Sequence, residues 1–269
     1  MSNNSRSNLV VVGGGNMGAA LVGGLLASAS GPVDPTQLSI VEVVEARRDQ
    51  LKAMFPTVNI DSEMPICGAA VIAVKPHDVP TAVATAVSSG ATRILSIAAG
   101  VTLSTLEAAA GEGVVVVRSM PNTPAMVRQG ASAIAAGRHA DDDDVAWAES
   151  ILGSVGTVVR VSESQMDAVT GLAGSGPAYI FLVAEALIDA GVEAGLERPT
   201  ADALVRQLLV GSAALLSQGE PPADLRAKVT SPGGTTAAGI AVLESHEVRA
   251  AFVDAVRAAT ERGRELGRG

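Results

Sequence analysis

Val10-Val11-Val12-Gly13-Gly14-Gly15-Asn16-Met17-Gly18 carries an apolar strand straight into a Gly-x-Gly-x-x-Gly turn and then a helix. Three consecutive valines suit a strand buried on both faces. Each patterned glycine has its own task. Gly13 permits the tight turn, Gly15 lets backbone approach a diphosphate with no Cβ in the way, and Gly18 lets the helix sit close to the strand. An anion held there meets N–H groups at the helix N-terminus, beside Asn16 and Met17. Glycine turns alone are common. This one follows an apolar strand at the head of a strand–helix series, so it reads as a dinucleotide cradle.

Further short apolar runs follow at 38–44 (interrupted by Ser39 and Glu42), 69–74, 94–99, 114–117 and 155–161, matching the first at 9–12. Helix-length stretches at 17–28, 45–55 and 79–88 separate several of them. The alternation predicts an α/β fold with a doubly wound parallel sheet, a Rossmann domain over 1–160. The acidic run 141–144 fits a solvated loop that leads into a helix N-terminus, where negative charge is favourable.

From about residue 161 the pattern changes to the 3.6-residue period of helices. One helix is expected over 177–190, opened by Pro177 and closed by Gly191. A second is expected over 200–217, with Thr200 as N-cap after Pro199. Pro221 and Pro222 break the pattern, and helices over 236–244 and 247–266 complete a C-terminal all-α domain, 161–269.

The chain has 269 residues, 48% of them hydrophobic, enough for two cores. Its aromatic residues are Phe55, Trp147, Tyr179, Phe181 and Phe252, too few for a base-stacking platform. A formal charge of −9, from 28 acids against 19 bases, repels nucleic-acid backbones and anionic membranes. One cysteine, Cys67, excludes an intramolecular disulfide and fits a reducing compartment. Residues 1–8 are polar and unlike a signal peptide, and no stretch approaches the roughly 20 apolar residues of a membrane span. The most apolar run, 177–187, carries Glu185. A cytoplasmic protein without nucleic-acid or membrane partners is expected, and no metal is called for.

Open α/β sheets bind ligands at the C-terminal ends of their strands. Three blocks fall there: Ala73-Val74-Lys75-Pro76, Ser96-Ile97-Ala98-Ala99-Gly100-Val101 and Met120-Pro121-Asn122-Thr123-Pro124. Lys75 is placed for a cofactor contact. Asn122 offers amide donors and an acceptor, suited to a nicotinamide carboxamide or ribose, or to a turn between two prolines. After the second strand stand Glu42, Glu45, Arg47 and Arg48. An acid there favours NAD and an arginine the 2′-phosphate of NADP. All four also suit the solvated start of a helix; the preference leans to NAD through Glu42.

Two blocks in the second half are not generic: Leu172-Ala173-Gly174-Ser175-Gly176-Pro177-Ala178-Tyr179 and Val229-Thr230-Ser231-Pro232-Gly233-Gly234-Thr235-Thr236. Together with the strand-end blocks, in order from about residue 8 to 266, they resemble pyrroline-5-carboxylate reductase. That resemblance implies NADPH or NADH as cofactor, a cyclic imino acid as substrate, and a swapped helical dimer domain, with dimers that assemble into larger rings. It also implies that the loop 229–236 holds the substrate carboxylate through Ser231, Gly233 and Gly234, and that Thr236 lies near the ring nitrogen as a proton-relay group. Val229 and Thr235 fall within the same loop. Ser175 sits where an N-cap would, yet Gly174 and Gly176 also allow close approach of a ligand. Some members place a glutamate about twelve residues before the serine; here that position is Gly219, with Glu220 next to it.

The chemistry suits these residues. Gly233 and Gly234 expose backbone N–H groups at a helix start, and the hydroxyls add donors without adding charge. An imine can take its proton from water, so no strong base is required. That fits His77, His139 and His246, which lie outside the glycine and Ser/Thr motifs. A β-hydroxyacid dehydrogenase acting on a carbonyl is the runner-up, and it would want a His or Lys general base. A catalytically silent dinucleotide-binding dimer would not need the Ser/Thr loop.

Overall fold

The computed structural model describes residues 7–27 and 33–267. Most of the 1–8 segment read against a signal peptide, and the expected last residue of the first helix, Ser28, lie outside them. The chain divides into two compact units, residues 1–175 with 258–269, and residues 176–257.

The first unit is built on one eight-stranded sheet, ordered β3-β2-β1-β4-β5-β6-β7-β8. The strands are β1 (Ser7–Val12), β2 (Leu38–Val41), β3 (Asn59–Asp61), β4 (Cys67–Ile72), β5 (Arg93–Ser96), β6 (Val115–Met120), β7 (Gly130–Ala136) and β8 (Gly156–Arg160). Helices α1 (Asn16–Ala27), α2 (Glu45–Met54), α3 (Val79–Ser88), α4 (Leu103–Ala110) and α5 (Asp142–Gly153) cover its faces. The valine run of β1 explains why both faces must be covered. Leu9 and Val11 pack with Leu21 and Leu25 of α1 and Ile151 of α5, while Val10 and Val12 pack with Val83 of α3 and Leu106 of α4. Each fully buried side chain of this kind contributes about 1.5–3 kcal/mol of transfer free energy.

Six strands run parallel, as the alternation predicts. The last two correct the expected all-parallel sheet: β7 is antiparallel to β6, and β8 is parallel to β7. The link between β6 and β7 is shorter than the dozen or so residues of a parallel crossover, so the chain must double back. β7 (Gly-Ala-Ser-Ala-Ile-Ala-Ala) has a single β-branched residue and left little signal.

Beyond β8 the chain is helical, in a continuous run Glu163–Glu193. It comprises a 3₁₀ turn, α6 (Met166–Val169), a π turn (Thr170–Gly174) and α7 (Gly176–Glu193). By length and mean hydropathy (1.5 over its most apolar window) this run could cross a membrane, which corrects the expectation that no stretch is apolar enough. Met166 packs fully buried against Ala133 and Ala135 of β7. This packing keeps residues 161–175 with the sheet, so the compact units part at 175 and not at the expected 160.

The remaining helices are α8 (Arg198–Leu216), α9 (Pro222–Lys228), α10 (Thr235–Ser245) and α11 (Val248–Leu266). Gly191 lies inside α7, and Gly195, with φ +102°, follows its end instead. α8 starts two residues before the expected cap: Glu197 is its N-cap, and Pro199 and Thr200 are already in the first turn. Pro222 opens α9 and does not break the helical pattern, because proline is tolerated where the N–H has no helical partner. Among residues 176–257 only Ala201 and Val205 are buried hydrophobics. Ile180, Phe181, Leu204, Leu208, Val242 and Leu243 stay exposed.

Candidate active site

β1 ends at Val12, and Gly13 turns the chain at φ +104°, a region that strains any residue with a Cβ. A Cβ on Gly13 would also lie 2.5 Å from the Ala73 carbonyl oxygen, and one on Gly18 would be driven into the Gly13 carbonyl oxygen. Gly15 is the opposite case: its Cβ would meet no protein atom within 4 Å. At the N-terminus of α1 the chain thus leaves open the volume that a side chain would take. Asn16 is the exposed first residue of α1, and half-buried Met17 packs on the core behind it.

The turn is held on both sides. The Gly13 N–H donates to the Val41 carbonyl (2.8 Å), and the Ala73 N–H donates to the Val12 carbonyl (2.8 Å). Glu42 is not a solvated helix start. Its Oε2 accepts from the Gly14 N–H (2.9 Å) and its Oε1 from the Val44 N–H (2.9 Å). Arg47 Nε donates to the Gly14 carbonyl (2.7 Å), and Arg48 Nη1 donates to the carbonyls of Glu42 (3.0 Å) and Val43 (2.8 Å). Glu45 is the acid in the first turn of α2.

A cleft of about 400 Å³ lies against this turn, walled by Gly13, Gly15, Glu42, Ala73, Val74 and Lys75, among others. It sits between the C-terminal ends of β1 and β4, where strand order reverses, the place an open α/β sheet offers a ligand. Lys75 is exposed, and Pro76 opens a 3₁₀ turn behind it. Ala98, buried, and Ala99, exposed, follow the neighbouring strand β5. The glycines, the helix N-terminus and the open volume at Gly15 fit a dinucleotide diphosphate. A second cleft of similar volume runs along α1 from Asn16 to Ala27 and is walled also by Arg47, Ala125 and Arg128.

Asn122 is buried and already engaged. Its Oδ1 accepts from the Ala131 N–H (2.9 Å), and its Nδ2 donates to the Ala173 carbonyl (3.1 Å). It therefore ties the β6–β7 link to the π turn, and one N–H and one lone pair remain for a ligand. Ser175 is not an N-cap: its backbone is helical (φ −84°, ψ −22°) and its N–H donates to the Thr170 carbonyl (2.9 Å). A π turn of this kind often marks a functional position in a helix.

In the second unit the loop after α9 reverses at Gly233, φ +70°, and reaches α10 through Gly234. The Gly234 N–H donates to the Ser231 carbonyl (3.0 Å), and a Cβ on Gly234 would sit 2.5 Å from Ser231 Oγ. Gly234 is the N-cap of α10, with no side-chain cap bond. The positive dipole end of this eleven-residue helix thus carries no side-chain cap, with Ser231 and Thr235 exposed and Thr236 half-buried around it. Val229 is 64% exposed. Glu220, in contrast, is tied to Lys228 Nζ through Oε1 (2.6 Å) and Oε2 (2.7 Å).

Of the three histidines, His77 alone walls the cleft at the glycine turn, beside Lys75. His77 leans on Asp78 (Nε2–Oδ2 3.2 Å), and both are exposed. Burial pushes the Cys67 thiol up, which makes it a poor nucleophile. An ion pair that no sequence motif singles out joins β6 to the 3₁₀ turn before α6. Arg118, 4% exposed on β6, pairs with Glu163 Oε1 (2.7 Å), which also accepts from the Leu103 N–H (2.9 Å). The only signal was an arginine at the end of a valine run.

Residues 163–266 match a family model described as pyrroline-5-carboxylate reductase dimerisation, and residues 8–100 match one described as NADP oxidoreductase, coenzyme F420-dependent. Among curated proteins, the pyrroline-5-carboxylate reductase of Synechocystis sp. is 42% identical over 266 residues, 97% of this chain and 98% of the relative. Among solved structures, a pyrroline-5-carboxylate reductase from Coxiella burnetii superposes with a TM-score of 0.89 at 38% identity, covering 97% of this chain and 98% of that one. A pyrroline carboxylate reductase from Plasmodium falciparum, with NADP bound, superposes with a TM-score of 0.81 at 29% identity, covering 99% of both. Matched end to end with relatives of one kind, and carrying both glycine-bearing helix starts, this chain belongs to the pyrroline-5-carboxylate reductase family.

Proposed function

We propose that this chain reduces 1-pyrroline-5-carboxylate to L-proline with a hydride from NADPH or NADH, the last step of proline biosynthesis. The observation that carries the substrate assignment is the α10 N-terminus, capped by Gly234 without a side chain and ringed by hydroxyls. A carboxylate is the anion of the right size: backbone N–H groups hold it without a buried counter-charge. Ser231, Gly233, Gly234 and Thr235 are its binders, with Val229 shaping the loop and Ser175 a further polar contact. Thr236 stands nearest the ring nitrogen and is the proton-relay group.

The dinucleotide is held by Gly13, Gly15 and Gly18 with Asn16 and Met17, by Glu42, by the 73–76 and 98–99 strand ends, and by Asn122. The nicotinamide, when bound, supplies the hydride. Everything else asked of the protein is proximity and orientation of two planar groups, which removes much of the entropic barrier. The imine nitrogen takes its proton from water by way of the Thr236 hydroxyl, and no histidine is needed. A carbonyl substrate remains the second reading of the fold, and a screen of imines against hydroxy acids, followed by NAD(P)H absorbance, separates the two. Turnover by Thr236→Ala is the test of the mechanism. Its kcat falls about 10²-fold, as for a lost proton-transfer group, while cofactor affinity is unchanged. Unchanged turnover removes Thr236 from the mechanism.

The working unit is a homodimer. Residues 176–257 bury almost nothing on their own, and a partner copy covers Phe181, Leu204 and Leu208. The apolar helix α7 packs in that interface and not in a bilayer, and dimers assemble further into a ring. Sedimentation velocity decides this: a monomer at micromolar concentration contradicts it. A net charge of −9 suits a cytoplasmic enzyme without nucleic-acid or membrane partners. Functionally, 1–160 is the cofactor half and 161–269 the dimer and substrate half.

A further inference from the structure

We infer that Arg118 and Glu163 are positioning residues for hydride transfer: their ion pair locks the end of β6 to the segment that carries the π turn, and so holds Asn122 and Ser175 in register without touching either ligand. Asn122 on the cofactor and Ser175 on the substrate are the roles proposed above, and the inference rests on them. Side chains two apart on an extended strand share a face. Arg118, Met120 and Asn122 are spaced in this way, and all three meet the 163–174 segment. Arg118 Nη1 donates to Glu163 Oε1 (2.7 Å), Met120 packs in one cluster with Met166 and Val169 of α6, and Asn122 Nδ2 donates to the Ala173 carbonyl (3.1 Å). A Cβ on Gly174 would sit 2.5 Å from Met120 Cε, so the joint is tightly closed there. Ser175 follows directly, its N–H tied to the Thr170 carbonyl (2.9 Å).

Stability alone does not account for the pair. Arg118 is buried and always charged. Desolvating such a charge is costly, and apolar side chains of similar volume often stabilise a core as well or better. The pair is also incompletely satisfied: Arg118 Nε and Glu163 Oε2 are shut off from solvent with no hydrogen-bond partner among the described residues. What the pair supplies is direction, because charge-assisted hydrogen bonds are short and geometrically demanding. Glu163 Oε1 also accepts from the Leu103 N–H (2.9 Å), so one oxygen pins the first residue of α4, the end of β6 and the turn before α6. The β6 end then carries the cofactor contact and the π turn leads to the substrate contact, and this joint sets the distance between them. Hydride transfer is sensitive to that distance: a misplacement of about 1 Å costs about 10²-fold in rate.

The test compares Glu163→Gln and Arg118→Lys with the unaltered full chain. Glu163→Gln keeps an acceptor for Leu103 and Arg118 but loses the charge; Arg118→Lys keeps both charges but loses the planar guanidinium. Rates are taken at a temperature where circular dichroism shows each protein folded. Single-turnover oxidation of bound NADH or NADPH by 1-pyrroline-5-carboxylate slows about tenfold or more in each variant, and kcat falls with it. The Kd of the nucleotide, from fluorescence titration without imine, stays within about threefold. A pair that only stabilises the fold leaves the single-turnover rate of the folded protein at the parent value, and that result overturns the inference. So does a loss of nucleotide affinity as large as the loss of rate. If Glu163→Gln does not fold, Arg118→Lys decides alone, since both charges remain in place. An unaltered chain that binds nucleotide but reduces no imine removes the functional reading, and this inference with it.

Discussion

Gly15→Ala separates what the glycine turn does for the fold from what it does for the ligand. The new methyl meets no protein atom within 4 Å, and Gly15 is not among the positive-φ residues. Folding stability therefore stays within about 0.5 kcal/mol of the parent. The same methyl fills the space through which a diphosphate reaches the α1 N-terminus. Losing one charge-assisted N–H···O bond costs about 1.5–3 kcal/mol, which is roughly 10- to 150-fold in Kd. Fluorescence titration of NADH or NADPH gives the affinity, and thermal melting of the same sample gives the stability. Gly18→Ala is the internal contrast, because its methyl is driven into the Gly13 carbonyl, and overpacking of that kind costs about 1–3 kcal/mol of stability. Parent-like affinity in a normally stable Gly15→Ala protein would refute the approach of a diphosphate to this turn.

Two other substitutions probe the supports of the site. Asn122→Ala strips the side-chain partners from the Ala131 N–H and the Ala173 carbonyl, and about 2–4 kcal/mol of stability goes with them; a loss under about 0.5 kcal/mol in urea denaturation would show that the strut carries no load. Asp141 caps α5, and the Asp144 backbone N–H above all holds its carboxyl below the usual carboxylate range. A carboxyl lowered in the folded state contributes stability above its unfolded pKa of about 4 and loses it as pH falls through the folded value. Asp141→Ala thus lowers the melting temperature at pH 7, and its gap from the parent closes below about pH 4. A gap of the same size at pH 7 and pH 3 would contradict the cap's charge dependence.

How much was legible in the sequence differs from element to element. β1, with its valines facing two cores, and the glycine turn after it were plain, because continuous apolar runs and Gly-x-Gly-x-x-Gly each have few physical solutions. α10 and α11 also fell within a residue or two of their expected bounds. The reversal at β7 was hidden, since a strand of alanine, serine and glycine with one isoleucine has little β-branched signature, and direction is set by the length of the link before it. Ser175 was misread as a cap for a related reason. A serine before Gly-Pro suggests a helix start, but the π turn carries the helix through it. Glu42, seen in sequence as a ribose acid or a solvated surface residue, proved to be braced by backbone from two loops, a long-range arrangement that no local pattern encodes. The exposed apolar faces of α7 and α8 were present in the sequence as helical periodicity, yet periodicity does not say whether the same chain or another copy covers them.

The most direct measurement is steady-state oxidation of NADH and of NADPH by the purified full chain with 1-pyrroline-5-carboxylate, with proline identified as the product. Saturable, stoichiometric conversion to proline with at least one of the two cofactors is the expected result. No oxidation of either nucleotide, by a protein shown to bind it, would contradict the assignment.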